Sequence, residues 1–351
     1  MAKPFTLPVI DVTALVADPN HPGVDSAIRQ ACEDYGFFYI KTGVSAELLE
    51  RMERHARRFF AKSVEEKERI KMSLSGKSWR GYFKVGDELT SGRADQKEGI
   101  YFGTEEKGEY RGDLPLRGKN QFPVDEEGGE VLLRDEVLSY MDFMRSCGTA
   151  LMRAIARSIG APELEDHFAE NPTELFRIFN YPSPPADPED SPAGKELYGV
   201  GEHTDYGFLT ILYQDPSGGL QVKVPSEGGQ LLAWQDVPYI KGTHVVNLGD
   251  ALEHYTHGRF VATPHRVIYH GRPRTEGGKS RLSFPYFFDP CFEAPMTPMS
   301  IEEGSSGVRQ RWDGADPKQF EGTYGDYLQR KISKVFPQLF AEAMTEEKNI
   351  L

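Results

Sequence analysis

The chain has 351 residues and a formal net charge of −13, with 38% hydrophobic and 27% charged residues. Such a composition is typical of a globular protein with a sizeable core. The acidic balance argues against nucleic acid or an anionic membrane as a partner, because both attract positively charged surfaces. No apolar run approaches the roughly 18–20 residues that cross a bilayer, and the first residues lack the pattern of a signal peptide.

Three cysteines lie far apart in the sequence, at Cys32, Cys147 and Cys291, without CxxC spacing. We interpret them as packing residues in a reducing compartment, which excludes a disulfide framework and a zinc site. We therefore expect a cytoplasmic protein that is a monomer or a weak homo-oligomer.

The first 130 residues are predicted to mix strands, helices and loops. "LPVIDVTAL" has the alternation of an edge strand, "DSAIRQACEDYG" that of an amphipathic helix, and "FFYIKTG" reads as a second strand. A long helical region is predicted to begin at Ser45, a residue type that caps helix N-termini. Residues 76–130 are rich in Gly and charged residues with scattered aromatics, which predicts long loops with an occasional strand, of the kind that cover a site.

The remaining residues, 131–351, are predicted to form a β-rich core with a helix at each end. The first helix covers about 131–159 and ends at Gly160. From residue 174 onward, short β-rich runs alternate with Gly, Pro and Asp turns, a pattern that indicates an antiparallel sandwich or barrel. The overall prediction is a mainly β fold with flanking α-helices, in which regions 1–130 and 131–351 form one structural unit.

The segment "GEHTDYG" places a histidine and a carboxylate two residues apart, at His203 and Asp205. Side chains at i and i+2 of a strand point to the same side of the sheet. Two imidazoles and one carboxylate on one face of an iron ion leave open positions for substrates and O₂. The pair is therefore a candidate for two of three ligands of such a metal.

The third ligand must come from a distant strand. The histidines downstream of the pair are His244, His254, His257, His265 and His270. His254 and His257 lie in the turn-like "EHYTHGR" and are less suited to the role. Spacing favours His265, at the start of "HRVIYH", but His244 and His270 remain alternatives.

The segment "RLSF" provides Arg281 and Ser283 at i and i+2 of another predicted strand. Because 2-oxoglutarate keeps a free distal carboxylate when it chelates a metal, its pocket needs a guanidinium, helped by a hydroxyl. Arg-x-Ser by itself is weak evidence for such a pocket, because several arginines exist in the chain. Its position after His265 in a β-rich region makes the interpretation more specific.

Taken together, these motifs resemble the isopenicillin N synthase-like family of Fe(II)/2-oxoglutarate-dependent oxygenases. The matching segments occur in the family's order, cover most of residues 7–293 and are very specific in combination. Those of the N-terminal region are "LPVIDVTAL", "YGFFYIKTGV" and "FFAKSVEEKERI". Those of the catalytic core are "RIFNYPSPP", "GEHTDYGFLTILYQD", "GGLQV", "VVNLGDALEHYTHGRFVATPHRV" and "RLSFPYFFDP". The resemblance implies a double-stranded β-helix (jelly-roll) core with flanking helices.

The resemblance also implies a cofactor set and a role for particular residues. His203, Asp205 and His265 match the family's iron ligands. Arg281 and Ser283, with the hydroxyl of Tyr181, match the positions that bind the distal carboxylate of 2-oxoglutarate. The expected cofactors are thus Fe(II) and 2-oxoglutarate, with ascorbate as an expected stimulant.

The reaction implied is oxidation of a small-molecule metabolite by O₂ through hydroxylation, desaturation or ring closure, with formation of succinate and CO₂. One alternative is an Fe(II) oxidase of the isopenicillin N synthase type, which uses no 2-oxoglutarate and keeps the Arg-x-Ser motif. A second is a non-catalytic binding protein, against which the complete ligand set argues.

One departure from the family pattern concerns Arg281, the residue that matches the carboxylate-binding arginine. Fifteen residues separate His265 from Arg281, because "GRPRTEGGKS" lengthens the turn between them. We interpret this as an extended hairpin loop, and Arg272 and Arg274 are alternatives to Arg281.

Candidates for the substrate pocket follow from their positions beside the ligand strands. They are Arg177, Tyr206, Phe208, Phe288 and Tyr82. Arg177 lies four residues before Tyr181 and so shares its face of the strand, where a salt bridge is the alternative role. Core packing is the alternative for the aromatic residues. Asp250 is a candidate for orienting a ligand histidine.

Overall fold

A computed structural model describes residues 5–90, 92–105, 115–124, 131–169, 171–183, 198–225, 232–268, 280–301 and 320–335. Its core is a jelly roll of two main β-sheets with flanking helices, as expected. The strands are β1 (Val9–Asp11), β2 (Phe37–Lys41), β3 (Gly81–Phe83), β4 (Leu89–Thr90), β5 (Arg93–Ala94), β6 (Glu98–Gly103), β7 (Pro172–Tyr181), β8 (Tyr198–His203), β9 (Leu209–Gln214), β10 (Leu220–Pro225), β11 (Leu232–Asp236), β12 (His244–Leu248), β13 (His265–Ile268) and β14 (Arg281–Cys291). The helices are α1 (Thr13–Ala17), α2 (Asp25–Asp34), α3 (Ala46–Phe60), α4 (Val64–Lys67), α5 (Arg134–Ile159), α6 (Asp250–Tyr255) and α7 (Tyr324–Val335).

The major sheet has eight strands in the order β1-β2-β12-β9-β14-β7-β6-β3. Its two longest strands, β7 and β14, are neighbours, and Arg281 at the start of β14 lies opposite Tyr181 at the end of β7. The edge strand predicted within residues 7–15 is confirmed for β1, which ends the sheet, but the last three of these residues belong to helix α1. Strands from the first 130 residues thus complete both ends of a sheet whose centre comes from later in the chain.

The minor sheet has four strands in the order β11-β10-β13-β8. Strands β8 and β13 pair antiparallel, and His203 lies directly opposite His265. The register shifts twice along this short pair, after His265 and again after Val267. The two histidines predicted as metal ligands are therefore cross-strand neighbours.

The four longer helices, α2, α3, α5 and α7, form where the sequence predicts helices, whereas α1 begins inside a segment predicted as a strand. Ser45 caps α3, since its hydroxyl accepts a hydrogen bond from the backbone N–H of Leu48 at 3.3 Å. Helix α5 ends at Gly160, whose φ of 69° is a left-handed conformation that glycine adopts without strain. Helix α5 packs against α2, α3 and β14, so it covers one side of the major sheet. All three cysteines are buried free thiols.

The region 76–130 contains more regular structure than predicted. Strands β3 and β6 join the major sheet, and β4 pairs with β5 in a separate two-stranded sheet. Every residue of β6 is buried, and β6 pairs with β7 along its whole length. The strand is stabilised by this tertiary pairing, which its own sequence pattern does not reveal. Among the described residues, no helix is both long and apolar enough to span a membrane.

Candidate active site

A cavity of about 450 Å³ lies between the sheets. Strands β7, β9 and β14 of the major sheet and β8 and β13 of the minor sheet contribute to its wall, together with β4 and α7. Part of the 76–130 region therefore covers a site, as expected. Arg281 and Arg177 both line this cavity, as do the three residues predicted to bind a metal.

His203, Asp205 and His265 converge on one point of the cavity wall. Each offers one donor atom, and the three atoms lie within 4.8 Å of one another. The Nε2 atoms of His203 and His265 are 3.8 and 3.9 Å from Oδ1 of Asp205. In the part of the chain that the structure describes, no other group of three such residues has this proximity. The donor set is that of a facial site for non-haem iron with open positions.

The backbone fixes the orientation of both imidazoles. Nδ1 of His203 lies 2.8 Å from the carbonyl oxygen of Gly201, and Nδ1 of His265 lies 3.2 Å from that of Thr263. A carbonyl oxygen accepts only, so each Nδ1 carries the proton and donates it there. The lone pair of each Nε2 is therefore directed toward the shared point, as metal binding requires.

Asp205 is positioned differently from the prediction. The predicted strand carried both members of the pair, but β8 ends at His203 and Asp205 lies beyond it. Its carboxylate Oδ2 instead accepts hydrogen bonds from the hydroxyl of Thr210 at 2.5 Å and from the amide of Asn247 at 2.7 Å. These two major-sheet residues leave Oδ1 facing the histidines, and neither of them has a motif of its own in the sequence.

The electrostatics of the cluster favour a cation. Burial raises the pKa of the Asp205 carboxyl, but the nearby charges of His265 and His203 and two hydrogen bonds outweigh burial and hold it below its usual range. Burial, together with His203, lowers the pKa of His265 to about 4. At neutral pH the site thus presents an ionised carboxylate and a neutral His265 imidazole, which are the protonation states that bind a metal.

The other described histidines lie elsewhere. His244 is buried beside the rings of Tyr140 and Tyr213. His254 and His257 contact the backbone carbonyls of residues 296 and 299 through Nε2. His270, the remaining alternative, lies outside the described residues.

Arg281 and Ser283 both line the cavity, so they share a face as predicted. The Arg281 guanidinium lies 4.7 Å above the ring of Tyr181, and its Nε donates to the carbonyl of Gly218 at 2.7 Å. Nη1 of Arg281 is buried and has no hydrogen-bond partner among the described residues. An unmet buried guanidinium donor is the feature expected of a pocket for a carboxylate. Arg272 and Arg274 lie outside the described residues.

Of the predicted pocket residues, Arg177 and Tyr206 line the cavity. Phe288 and Phe208 do not; both pack against Phe168 in the core, with ring centroids 5.1 and 5.0 Å away. On β14, it is the odd-numbered residues from Arg281 to Asp289 that face the cavity, so Phe287 occupies the place expected for Phe288.

Tyr82 is also away from the cavity, and its hydroxyl donates to Glu98 at 2.7 Å. Asp250 accepts from Tyr327 at 2.9 Å and from Lys331 at 3.2 Å, while its backbone N–H donates to the Asp205 carbonyl at 2.8 Å. Asp250 therefore supports the Asp205 backbone. Further charged and polar residues that line the cavity were not predicted, namely Glu88, Lys97, Glu202, Asp289, Tyr324 and Lys331.

Comparison with known proteins agrees with the iron-type donor set of the cavity. The model of the 2OG-Fe(II) oxygenase superfamily matches residues 173–290, and that of the N-terminal region of the non-haem dioxygenases in morphine synthesis matches residues 7–125. A Dictyostelium discoideum protein named "probable iron/ascorbate oxidoreductase" is 42% identical, covering 95% of each chain.

More distant relatives carry the names of particular activities. A 1-aminocyclopropane-1-carboxylate oxidase of Dictyostelium mucoroides is 33% identical over 94% of this chain and 95% of its own. A homoarginine-6-hydroxylase of Glycine max is 33% identical over 97% and 100%. Among solved structures, a full-length Neurospora crassa protein in complex with alpha-KG and thymine has a TM-score of 0.69 at 26% identity, covering 93% of this chain and 97% of the Neurospora chain.

The chain therefore belongs to the 2OG-Fe(II) oxygenase superfamily, as the resemblance implied. It is an oxidoreductase of the dioxygenase class whose cofactors are Fe(II) and 2-oxoglutarate and whose substrate is a small molecule. The residues present fit both cofactors, because the three converging donors suit iron and the unmet Arg281 donor suits a carboxylate.

Proposed function

We propose that His203, Asp205 and His265 hold the Fe(II) of a 2-oxoglutarate-dependent oxygenase that acts on a small metabolite. The observation that carries this assignment is the convergence of their three donor atoms within 4.8 Å. Thr210 and Asn247 serve the site by fixing the Asp205 carboxylate in place.

Arg281 is the proposed anchor for the distal carboxylate of 2-oxoglutarate, with Ser283 beside it. Its unpartnered Nη1 supports this role within the described part of the chain. The Arg281 guanidinium lies over the ring of Tyr181, 4.7 Å from the ring centroid. This contact restrains the orientation of the guanidinium.

Bound Fe(II) and 2-oxoglutarate supply the oxidising chemistry: O₂ gives one oxygen atom to succinate, as CO₂ leaves, and the second to oxidation of the substrate. The chain's own residues orient the reactants and keep water away. Apolar side chains of the cavity wall, Leu175, Leu212, Val267 and Pro285, exclude water around the site.

Regions 1–130 and 131–351 are proposed to act as one structural unit. The pairing of β2 with β12 and of β6 with β7 supports this, because each pair joins one region to the other. We further propose a cytoplasmic monomer or weak homo-oligomer. We also propose that it has no nucleic-acid partner, which the net charge of −13 supports.

The test is formation of succinate from 2-oxoglutarate by the protein with Fe(II) and ascorbate. We expect His203→Ala to reduce turnover to background, a loss of at least ~1,000-fold, because the metal performs the chemistry. His257→Ala, which removes a histidine outside the cavity, is the matched control. Equal turnover by the wild type and His203→Ala would show the assignment to be wrong.

A second candidate is an oxidase that does not use 2-oxoglutarate, as the 33% identity to 1-aminocyclopropane-1-carboxylate oxidases suggests. The unmet Arg281 donor favours the first candidate. Calorimetry with the Mn(II)-loaded protein decides between them: binding of 2-oxoglutarate supports the oxygenase, and no binding supports the oxidase.

A further inference from the structure

A second, half-buried arginine lines the same cavity as Arg281. Arg177 lies on β7 four residues before Tyr181, and Tyr181 is the cross-strand partner of Arg281. Four residues of a strand span ~13 Å between Cα atoms. The Arg281 guanidinium lies over the ring of Tyr181, whereas the Arg177 guanidinium lies over the rings of Tyr101 and Phe287. A cosubstrate anchored at Arg281 therefore leaves Arg177 to another ligand.

The Arg177 guanidinium is held in a fixed plane. It lies 4.1 Å from the ring centroid of Tyr101 and 4.7 Å from that of Phe287. Stacking between two aromatic rings restricts its rotation before any ligand arrives, and such preorganisation reduces the entropy cost of binding.

Arg177 also keeps hydrogen-bonding capacity. Its nearest acid is Glu88, at 3.7 Å from Nη1, which is too long for a hydrogen bond. Glu88 is already engaged by the Lys97 ammonium at 2.9 Å and by the Tyr101 hydroxyl at 2.9 Å. Nε of Arg177 is buried without a hydrogen-bond partner in the described ranges. A buried donor left unmet is costly, and a ligand that accepts from it removes that cost.

We propose that Arg177 binds a carboxylate of the prime substrate, so that the enzyme oxidises a small carboxylic acid. This inference rests on the proposed function. A carboxylate matches the fork of one guanidinium and makes a stronger, charge-assisted bond than a neutral carbonyl does.

The test begins with the holoenzyme, supplied with Fe(II), 2-oxoglutarate and O₂ and incubated with a small-molecule cell extract. Mass spectrometry identifies compounds that gain an oxygen atom or lose two hydrogen atoms. Each is then assayed as the free acid and as its primary amide. We expect the oxidised compound to carry a carboxylate, and its kcat/KM to fall on the order of 100-fold in the amide.

Two variants separate binding from folding. Arg177→Met keeps the apolar stem between the two rings, and we expect it to raise the KM for that compound on the order of 100-fold while the KM for 2-oxoglutarate changes less than ~3-fold. Arg177→Lys retains the charge without the fork and recovers part of the loss. The control is Arg153→Met, which removes an arginine paired with Glu165 outside the cavity.

The outcomes are distinguishable. An oxidised compound without an acidic group, or an equal KM for it in wild type and Arg177→Met, overturns the proposal. A large rise in the KM for 2-oxoglutarate in Arg177→Met also overturns it, because Arg177 would then anchor the cosubstrate. Absence of succinate formation by the wild type refutes instead the proposed function on which this inference rests.

Discussion

The two main sheets contribute different chemistry to one cavity. The minor sheet carries His203 and His265, which face each other across a short antiparallel pair whose register shifts. The major sheet carries Arg177 and Arg281 on its two longest strands, β7 and β14. The histidines are brought together by one local pairing, whereas the arginines are separated by four residues along two paired strands.

This difference shows how one cavity can hold metal-binding residues close together and ligand-binding residues far apart. Metal donors must lie within a few ångströms of each other, and directly opposed residues of an antiparallel pair meet that need. Binding two small molecules in order requires separated anchors, which long strands provide. The two sheets remain coupled through Asp205, whose carboxylate accepts hydrogen bonds from Thr210 on β9 and Asn247 on β12.

The largest effect that tests the division of roles between the two sheets is expected from the removal of Arg281, the proposed 2-oxoglutarate anchor on the major sheet. Arg281→Met deletes the buried donor that lacks a partner among the described residues, so we expect the KM for 2-oxoglutarate to rise on the order of 100-fold. Iron binding, which depends on the minor sheet, is expected to stay within ~3-fold of wild type. Kinetics and iron titration provide the two measurements, and Arg281→Lys should recover part of the affinity because it retains the charge. A 2-oxoglutarate KM equal to that of the wild type would contradict the assignment.

A smaller effect is expected where the two sheets are coupled. Thr210→Val removes the hydroxyl that donates to Asp205 and keeps the side-chain shape, so we expect iron affinity to fall by ~10-fold. Thr243→Val, which loses a hydroxyl bonded to a backbone carbonyl at 2.8 Å, is the matched control. Iron titration of both variants checks the prediction, and equal affinities would mean that Asp205 needs no support from the major sheet.

An effect of another kind, on stability and not on ligand binding, concerns Asp289 at the far end of the cavity-facing side of β14. Burial raises the pKa of its carboxyl to about 7, although Tyr324 and the Phe208 N–H donate hydrogen bonds to it. The folded protein therefore holds this proton more tightly than the unfolded chain, whose Asp pKa is ~3.9. The stability that Asp289 contributes is complete below pH ~4 and is lost as the pH rises to about 7, at up to ~1.4 kcal/mol per pH unit.

Asp289→Asn should remove this fall in the free energy of unfolding of the metal-free protein. Urea unfolding at several pH values between 4 and 7 measures it. Asp142→Asn, at a side chain that is 76% exposed, is the control. An identical pH dependence in Asp289→Asn and wild type would show that the buried carboxyl does not retain its proton.

The sequence was informative wherever one strand carries two residues of a motif. Alternation along β14 correctly placed Arg281 and Ser283 on one face, and the same rule on β7 placed Arg177 beside Tyr181. The choice of Phe288 was wrong by one residue, since the alternation that places Arg281 and Ser283 on one face continues to Phe287.

Other features depend on tertiary contacts that the sequence does not specify. Thr210 and Asn247 have no motif of their own, and only the approach of β9 and β12 to Asp205 reveals their role. Spacing alone left the third metal ligand open among His244, His265 and His270. The resemblance and then the register of β8 and β13 favour His265.

The most direct test of the central claim is a crystal structure of the Fe(II) and 2-oxoglutarate complex, grown without O₂ and phased with the anomalous signal of iron. We predict one iron peak within coordination distance of His203, Asp205 and His265, with the distal carboxylate of 2-oxoglutarate on Arg281. An iron peak away from these three residues, or 2-oxoglutarate bound with its distal carboxylate on Arg177, would contradict the division between the two sheets.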